Sequence, residues 1–593
     1  MKTNDKIKKL RKKMKENGVN CYIVNTADPH MSEYLHEYYQ TRAFLTGFTG
    51  SQGTALVSMD KALLWADGRY FIQAENQIMD SEFSLMKMMT PGFPSLEEWL
   101  KENLKDGTTL AFDGKNYSEE GFERIESLFK GKNIKIKTDF DFMTEIWEDR
   151  PSPPFGETFV LEEKYAGKSV KDKLTEVRER LKKDGASHFV IGSLDDIAWL
   201  FNIRGRDVKN NPVIISYALV SMDAAVLYVD PKKLTDEVVK HLKDSGVKTK
   251  GYTKIFDDVK KLGKKDKVQL DKSRINHNLY SSIPSDVKII PKTDITTILK
   301  ANKNKTEIEN QKIAYIKDGV ALTKFFKWLE ENLSSGKVTE KVASEKLLEF
   351  RKEGDLFIED SFDTISAYGP NAAMMHYSPD TGNNATLQEK SYYLVDSGGQ
   401  YFNGTTDITR TVALGELTQE EKEDYTLTLK GLIDLTMTKF LKGTTGEQLD
   451  IISRRPLWQR GVDYKCGTGH GIGFLLNVHE GPHRIANVVR NPVAFEIGMV
   501  TSIEPGVYKE GKHGIRIENV VAVKKEVETE SGEFYAFDTL TMVYIDTKPI
   551  IKELMYEESI EWLNNYHKEV YEKLSPYLND DEKAFLKEKT TEI

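Results

Sequence analysis

Residue types that could do chemistry gather in the second half of the 593-residue chain. Two aspartates, one histidine and two glutamates there follow apolar runs or stand in glycine-rich turns: Asp396, Asp407, His470, Glu504 and Glu518. A carboxylate on a buried strand is costly unless it is paired or bound to a cation. Taken singly, each of these residues is more often a turn, core or salt-bridged residue, so the hypothesis of a site rests on the whole set.

As a set, these five side chains predict a metal centre. Four buried carboxylates in one site would repel one another, and divalent cations remove that repulsion. Oxygen-rich ligation with a single nitrogen favours a hard ion such as Mn²⁺ over the metals that prefer thiolate. Five ligands that include so many carboxylates, which can bridge, suit two ions about 3.5–4 Å apart that share a hydroxide.

The two aspartates are predicted to share a hairpin. The segment YLVDSGGQYFNGTTDITRT reads as a strand, a turn at Asn403-Gly404 and a second strand. A tight turn at that dipeptide would place Asp407 opposite residue 400. Bringing Asp407 next to Asp396 would then need a wider loop or an offset between the strands.

The spacing of the histidines and glycines excludes two other sites. The glycines around His470, at positions 467, 469, 471 and 473, do not fit the GxGxxG pattern of dinucleotide-binding loops. His479 and His483 are four residues apart, but Pro482 disfavours a helix between them. A zinc-binding pair on one helix is therefore not expected.

The composition is that of an acidic, polar chain with a net charge of −9 and a mean hydropathy of −0.50. The charge gives no reason to expect a nucleic acid as partner. No stretch approaches the roughly 18 apolar residues of a membrane span. The two cysteines lie far apart, and the N-terminus lacks the apolar core of a signal peptide. We therefore expect a cytoplasmic protein without a membrane partner.

Two breaks divide the chain. Three prolines within residues 150–156 predict an extended linker. A second break near residues 300–306 precedes a long amphipathic helix, for which Thr306 and Glu309 have the spacing of a capping box. Together with a carboxyl-terminal tail, the breaks predict four regions: residues 1–150, 157–300, 306–530 and 531–593.

The first two regions are predicted to be related copies. Residues 55–67 read ALVSMDKALLWAD and residues 218–230 read ALVSMDAAVLYVD, with nine of thirteen positions identical. In both copies a charged amphipathic helix, a glycine and an apolar strand come first. This alternation of helices and strands predicts an α/β (α+β) fold.

A family resemblance follows from the motifs around the five side chains. In chain order, VDSGGQY, GTTDITRT, GTGHGIG, SIEPGVY and GIRIENV resemble the motifs of the pita-bread metallopeptidases. Within them the chain is most similar to the long, three-domain Xaa-Pro aminopeptidase (aminopeptidase P) family, and the likeness extends from RAFLTGFTGSQGTAL to WLNNYH near the C-terminus. The resemblance implies two related creatinase-type amino-terminal domains, a pita-bread catalytic domain and a homodimer.

The resemblance also implies roles for individual residues. The five residues named above would hold two manganese ions. His376, in MMHYSP, and His479, in NVHEGP, match substrate-contacting histidines of the family. Arg69, in WADGRY, matches an arginine implicated in substrate binding. In the family's proposed mechanism a metal-bridging hydroxide is the nucleophile, and the glutamate that matches Glu504 takes its proton.

The activity that the resemblance implies is removal of the N-terminal residue from peptides whose second residue is proline. The bond before proline lacks an N–H and has special cis/trans geometry, so general aminopeptidases handle it poorly. The nearest alternative is a prolidase, which acts on Xaa-Pro dipeptides. A further alternative is a non-catalytic pita-bread domain that binds peptides or proteins, against which the intact ligand set argues.

One residue departs from the family pattern. Cys466 precedes GTGH, where family members usually carry a histidine that helps to hold the substrate carbonyl. A neutral thiol is a much weaker hydrogen-bond donor than an imidazolium. We expect Cys466 to stand at the rim of the substrate pocket, among the substrate-binding residues, and to contribute little, while His376 and His479 hold the substrate. The alternative is that its thiol is an additional contact to the metal or the substrate.

Overall fold

The structure, a computed structural model, describes residues 1–380 and 382–593. These residues form two compact units. The amino-terminal unit comprises residues 1–162 and 168–298, and the carboxyl-terminal unit comprises residues 163–167 and 299–593. In the described part of the chain, no helix combines the length and the apolar character that crossing a bilayer requires.

The first half of the amino-terminal unit is a mixed sheet between helices. The strands are β1 (Cys21–Asn25), β2 (Thr54–Ser58), β3 (Ala62–Ala66), β4 (Phe83–Lys87), β5 (Thr109–Ala111) and β6 (Lys135–Lys137). The helices are α1 (Thr3–Glu16), α2 (Thr41–Thr46), α3 (Phe71–Ile78), α4 (Leu96–Asn103), α5 (Glu119–Leu128) and α6 (Phe142–Ile146). The strand order is β4-β3-β2-β1-β5-β6.

Residues of β1 alternate between two apolar cores, one on each face of this sheet. Tyr22 and Val24 belong to one core, and Cys21 and Ile23 belong to the other. The alternation is the two-residue period of a strand. Because helices supply residues to both cores, the sheet is the central layer of this half.

The second half of the amino-terminal unit repeats the first. Its strands are β7 (Thr158–Val160), β8 (His188–Ile191), β9 (Ile203–Gly205), β10 (Tyr217–Ser221), β11 (Ala225–Tyr228), β12 (Val247–Lys250), β13 (Lys267–Leu270) and β14 (Lys288–Pro291). The sheet order β12-β11-β10-β8-β13-β14 matches that of the first sheet, strand for strand. The two copies of the repeated sequence fall on β2–β3 and β10–β11, so the predicted duplication is confirmed.

The remaining helices complete both units. The short helix α7 (Glu163–Ala166) belongs to the carboxyl-terminal unit. The second half of the amino-terminal unit has the helices α8 (Val170–Lys183), α9 (Leu194–Phe201), α10 (Asp236–Asp244), α11 (Lys254–Val259), α12 (His277–Tyr280) and α13 (Ile295–Ala301). The last residues of α13 are counted with the carboxyl-terminal unit. The other helices of the carboxyl-terminal unit are α14 (Lys305–Asn332), α15 (Glu340–Lys352), α16 (Gln419–Thr436), α17 (Gly446–Trp458), α18 (Glu557–Leu574) and α19 (Asp580–Lys589).

The carboxyl-terminal unit places these helices around mainly antiparallel sheets. The strands are β15 (Phe357–Asp360), β16 (Ile365–Tyr368), β17 (Tyr392–Ser397), β18 (Gly399–Tyr401), β19 (Gly404–Thr405), β20 (Ile408–Ala413), β21 (Phe440–Leu441), β22 (Gly469–Gly471), β23 (Glu480–Ile485), β24 (Val500–Ile503), β25 (Gly506–Lys509), β26 (His513–Arg516), β27 (Asn519–Thr529) and β28 (Gly532–Thr539). The largest sheet has the order β21-β28-β27-β24-β22-β23, and two three-stranded sheets have the orders β15-β18-β19 and β16-β17-β20. The predicted α/β (α+β) class is confirmed.

Helix α14 begins earlier than its predicted cap. Asn304 is the N-cap: its side chain accepts from the Glu307 N–H, and the Glu307 side chain accepts from the Asn304 N–H. The choice of Thr306 and Glu309 as the capping box was therefore wrong. Both pairs have the required spacing, and asparagine ranks at least as high as threonine at this position.

The carboxyl-terminal tail ends in two helices that bury one face. In α18 the side chains of Leu563, Tyr566 and Val570 are buried, and the helix contacts α14 and α16. His567 is buried as well, and its Nε2 atom accepts a hydrogen bond from the Ile545 N–H at 3.1 Å. This bond ties α18 to the extended segment 540–546, which leads from β28 towards the helix.

The neutral imidazole of His567 makes the fold sensitive to acid. Burial, together with the charge of Arg410, lowers the pKa of His567 from 6.5 to about 4. Between pH 6.5 and about pH 4, His567 binds a proton in the unfolded chain but not in the folded chain. The free energy of unfolding therefore decreases as the pH falls through this range. The full loss is on the order of 3 kcal/mol.

We predict that His567→Gln reduces this acid sensitivity. Glutamine offers an oxygen to the Ile545 N–H and does not titrate. The loss of melting temperature between pH 7 and pH 5, measured by calorimetry, should be smaller in the variant than in the wild type. The partly exposed His241, replaced in the same way, serves as the control. An equal loss in the wild type and in His567→Gln would contradict the prediction.

Candidate metal centre

Asp396 and Asp407 lie on the same face of the β17–β20 hairpin. Asp396 pairs with Thr409 across the two strands, and Asp407 precedes Thr409 by two residues. Residues two apart along a strand share a face, so the two carboxylates are diagonal neighbours. The turn is Phe402-Asn403, since Tyr401 pairs with Gly404. The predicted turn at Asn403-Gly404 was wrong by one residue, and the correct register supplies the offset that the carboxylates need.

A buried ion pair contacts the hairpin next to each of the two aspartates. Arg351 donates to Asp318 through Nε at 2.7 Å and through Nη2 at 3.2 Å, and both residues are fully buried. Arg351 Nη2 also donates to Ser397 Oγ at 2.9 Å, and Thr406 Oγ1 donates to Asp318 Oδ2 at 2.7 Å. Ser397 follows Asp396, and Thr406 precedes Asp407. The network therefore fixes the backbone at both candidate ligands.

His470 and Glu504 come from two neighbouring strands of the large sheet. His470 is the central residue of β22, and Glu504 directly follows β24. A Cβ atom on Gly469 would lie 2.0 Å from the Ser502 carbonyl oxygen. Only glycine permits this approach. His470 Nε2 lies 3.4 Å from Asp407 Oδ2 and 3.4 Å from Glu504 Oε1.

Glu518, which directly precedes β27, completes the group. Thr409 Oγ1 donates to Glu518 Oε2 at 2.9 Å, and the Glu518 N–H donates to the Thr409 carbonyl at 3.1 Å. Asp407, His470 and Glu518 each offer one ligand atom, and these atoms lie within 4.8 Å of one another. The structure thus brings all five predicted side chains to one place, through direct contacts among Asp407, His470 and Glu504 and through Thr409.

The electrostatics of this cluster are those of a site that lacks positive charge. Burial raises the pKa of Asp396 to about 6, and Asp407 and Glu504 add to the effect, while Arg516 opposes it. Burial and the same carboxylates raise the pKa of Glu518 well above its usual range. Burial alone would lower the pKa of His470, but the Asp407 and Glu504 carboxylates raise it to about 9.

Two oxygen atoms mark where a cation would bind. Among residues 1–380 and 382–593, the buried Asp396 Oδ1 and Glu518 Oε1 atoms find no hydrogen-bond partner. Buried polar atoms normally have one. The second oxygen of each carboxylate is already held, by Arg516 and by Thr409. The donor set therefore fits hard divalent cations.

The two histidines expected to contact substrate lie beside the cluster. The His479 ring stands edge-on to the His470 ring, with 4.2 Å between the ring centroids. His376 follows Met375, whose carbonyl oxygen accepts from Arg516 Nη2 at 3.4 Å. Both histidines are partly exposed. The His479 ring is thus next to a proposed ligand, and His376 is one residue from a backbone contact of Arg516, which pairs with Asp396.

Arg69 belongs to the other unit of the chain, and Cys466 is not among the grouped ligand atoms. Arg69 lies in the amino-terminal unit, and its guanidinium donates to Asp67 at 2.9 and 2.8 Å. The half-buried Cys466 packs against an apolar cluster that contains Tyr464, and Tyr508 borders the same cluster. In the described part of the chain, Cys466 does not belong to the group that could hold a metal ion.

Sequence reasoning missed the positive charge beside Asp396. Arg516 Nη2 donates to Asp396 Oδ2 at 2.6 Å, and its Nη1 donates to the Tyr508 hydroxyl at 2.8 Å. The signal was available, because Arg516 stands two residues before Glu518 in an apolar stretch. An arginine is as costly to bury as a carboxylate unless the two are paired.

A second missed feature holds the loop of His479. The buried Glu480 carboxylate accepts from Lys300 Nζ at 2.8 Å and from Lys303 Nζ. Glu480 also pairs with Gly471 across β22 and β23, next to His470. Because Glu480 directly follows His479, its ion pairs anchor the backbone next to that histidine. The lysines lie almost 180 residues earlier in the chain, which no local pattern connects to Glu480.

Comparisons with known families match most of the chain. Residues 309–525 match the metallopeptidase family M24, and residues 533–593 match the C-terminal region of that family. Residues 6–143 and 149–307 each match the creatinase/prolidase N-terminal domain. Two domains of one kind thus precede the peptidase domain.

Similar proteins match this chain over nearly all of their length. The probable Xaa-Pro aminopeptidase P of Tuber melanosporum is 41% identical, with 100% of this chain and 99% of the relative covered. That of Laccaria bicolor is 40% identical, with 98% and 92% covered. Among solved structures, the X-prolyl aminopeptidase of Caenorhabditis elegans, described as a cytosolic enzyme with a di-nuclear active site, is 34% identical with a TM-score of 0.95 and full coverage of both chains.

A structure of a shorter enzyme shares only the fold. The Xaa-Pro dipeptidase of Bacillus anthracis is 23% identical with a TM-score of 0.52, and it covers 64% of this chain and 99% of its own. The relatives of full length match both the amino-terminal domains and the peptidase domain. The chain therefore belongs to metallopeptidase family M24 and, within it, to the Xaa-Pro aminopeptidases P.

Proposed function

We propose that this chain removes the N-terminal residue from peptides whose second residue is proline. The observation that carries the proposal is the cluster of four carboxylates and one imidazole in which two buried oxygen atoms, Asp396 Oδ1 and Glu518 Oε1, find no partner among the described residues. Full-length similarity to relatives named probable Xaa-Pro aminopeptidase P supports the choice of bond.

The same cluster would hold two divalent ions, which we propose to be Mn²⁺. The proposed ligands are Asp396, Asp407, His470, Glu504 and Glu518. Four oxygen-bearing side chains and one nitrogen favour manganese over softer metals, and the similar C. elegans enzyme has a di-nuclear active site. When bound, such ions neutralise the carboxylates and act as Lewis acids toward the scissile carbonyl.

Glu504 is the residue that we assign to proton transfer. Its side chain is 20% exposed, against 11% for that of Asp396, and Glu518 is buried. Ser502 Oγ donates to Glu504 Oε1 at 3.2 Å, and the Glu504 N–H donates to the Thr468 carbonyl at 2.7 Å. The carboxylate is thus oriented and reachable by water, as a general base must be.

His376 and His479 are assigned to substrate binding, and Arg69 is a further candidate. Imidazoles beside the carboxylates are suited to donate hydrogen bonds to a peptide carbonyl. The bond to be broken has no N–H because its nitrogen belongs to proline. Recognition must therefore use the carbonyl, the free N-terminus and the shape of the ring.

We also propose a domain organisation, an oligomeric state and a location for the enzyme. These are four regions with the boundaries given above, a homodimer and the cytoplasm. The C. elegans enzyme is described as cytosolic. The division into four regions is supported by the four family matches, which cover residues 6–143, 149–307, 309–525 and 533–593.

We predict cleavage of an Arg-Pro-Pro tripeptide with release of arginine, dependent on Mn²⁺. The matched peptide Arg-Ala-Pro should be cleaved far more slowly, because its second residue lacks the proline ring. The measurement is the rate of arginine release with added Mn²⁺ and after chelation. A dipeptide Arg-Pro that is turned over much faster than the tripeptide would replace this proposal with a prolidase, and full activity in metal-free protein would refute the metal centre.

We predict that Glu504→Gln lowers kcat by about 10²–10⁴-fold, the usual cost of losing a general base. Glutamine keeps the shape but cannot accept the proton. The metal content of the variant is measured alongside kcat, so that loss of ligation is separated from loss of the base. The exposed Glu510, changed to Gln, is the matched control and should be unaffected. A near-normal kcat in Glu504→Gln would place the base elsewhere.

We predict that Cys466→Ala leaves metal affinity unchanged and keeps activity within about tenfold, or roughly 1.4 kcal/mol of barrier. The reason is that the thiol packs beside Tyr464 and Tyr508 and is not among the grouped ligand atoms. The checks are a Mn²⁺ titration and kcat/KM on the tripeptide. Loss of bound metal in the variant would show that the thiol is a ligand.

A further inference from the structure

The guanidinium of Arg410 is buried among neutral oxygen atoms. Arg410 is 1% exposed. Its Nε, Nη1 and Nη2 atoms donate to six acceptors, which are carbonyl, amide and hydroxyl oxygens: Tyr544 O, Thr409 O, Glu518 O, Asn519 Oδ1, Val543 O and Tyr566 Oη. A buried charge without a carboxylate is tolerated only when its donors are satisfied, and here the five N–H hydrogens of the guanidinium have six acceptors.

One side of Arg410 holds the proposed ligand Glu518. Arg410 Nη1 donates to the Glu518 carbonyl, and Nη2 donates to Asn519 Oδ1 at 2.9 Å. The preceding residue, Thr409, donates to Glu518 Oε2 and leaves Oε1 for a cation. The pair Thr409 and Arg410 thus fixes both the backbone and the side chain of Glu518.

The other side of Arg410 is closed by the carboxyl-terminal tail. Val543 O and Tyr544 O accept from the guanidinium at 2.7 and 2.9 Å. The Tyr566 hydroxyl of α18 accepts from Nη2 at 2.9 Å. The same hydroxyl lies 2.7 Å from Val543 O and 3.0 Å from Thr541 O, to one of which it donates. Tyr566 therefore ties the guanidinium to the extended segment 541–545.

We propose that Tyr566 is a positioning residue for the metal ligand Glu518, acting through Arg410. The inference rests on the metal centre proposed above. Without the hydroxyl, Nη2 keeps Asn519 Oδ1 and Val543 O for its two hydrogens, but the Val543 N–H loses the acceptor it has at 3.3 Å and the segment 541–545 loses this bond to α18. Because the Val543 and Tyr544 carbonyls of that segment hold the guanidinium, a shift of the segment moves Arg410, and with it the Glu518 carbonyl and the carboxylate that Thr409 holds.

A positioning role differs measurably from a purely structural one. If Tyr566 only stabilised the fold, its loss would lower the melting temperature of the metal-free and the metal-loaded protein by the same amount. If it positions Glu518, its loss also weakens the binding of the metal, so the rise in melting temperature on adding metal becomes smaller. Partners of metal ligands typically change metal affinity by 10–100-fold when they are removed.

The test is Tyr566→Phe in the full chain, probed with Mn²⁺ alone. We expect Mn²⁺ affinity, measured by calorimetric titration, to fall by about tenfold or more, together with a smaller rise in melting temperature on adding Mn²⁺. The matched control is Tyr228→Phe, which removes a buried hydroxyl that donates to Asp258 in the amino-terminal unit. The control should lose stability without any change in Mn²⁺ affinity.

The outcomes separate this inference from the proposal on which it rests. A wild-type chain that binds no Mn²⁺ refutes the metal centre itself. A wild-type chain that binds Mn²⁺ no more tightly than Tyr566→Phe refutes only the role of Tyr566.

A measurement on the unmodified protein covers the case in which the variant does not fold. Coupling between two sites is reciprocal, so Mn²⁺ should slow amide hydrogen exchange in residues 541–546 of the wild type. Slower exchange around Glu518 without any change in residues 541–546 would overturn the inference.

Discussion

Repulsion among buried carboxylates is the interaction on which the rest of the carboxyl-terminal unit depends. Burial and the neighbouring negative charges raise the pKa of Asp396 and Glu518, and the Asp407 and Glu504 carboxylates raise that of His470. Arg516 supplies one compensating charge, at the Oδ2 atom of Asp396. Divalent cations would supply the positive charge that is still missing. The lack of that charge explains why two carboxylate oxygens find no partner among the described residues.

Side chains that repel one another converge only if their backbone is held by other bonds. The ion pair of Asp318 and Arg351 fixes the strands at both aspartates, and Arg410 fixes the start of β27 at Glu518. Glu480 and its two lysines do the same for the loop of His479. Preorganised surroundings of this kind raise metal affinity because little rearrangement is left for the binding step.

The duplicated sheets, the fold class and the five clustered side chains followed from local sequence pattern. The repeat was visible because β2–β3 and β10–β11 keep nearly the same residues, and the ligand types were visible because carboxylates interrupt apolar runs. Two local choices failed. The cap at Thr306 lost to a neighbouring Asn-x-x-Glu of almost equal propensity. The turn falls at Phe402-Asn403, although Asn-Gly is the stronger turn signal, because the pairing of β17 with β20 and of β18 with β19 keeps one register. The bond from Arg410 to Glu518 and that from Lys300 to Glu480 join residues 108 and 180 positions apart, so only the tertiary structure reveals them.

The central claim, that this cluster holds two divalent ions, is tested most directly by anomalous diffraction from crystals of the Mn²⁺-loaded protein. Data collected on both sides of the manganese absorption edge locate each ion independently of any assumed ligand. The account predicts two manganese peaks per chain, surrounded by Asp396, Asp407, His470, Glu504 and Glu518. Peaks ligated by other residues, or no peak among these five side chains, would contradict it.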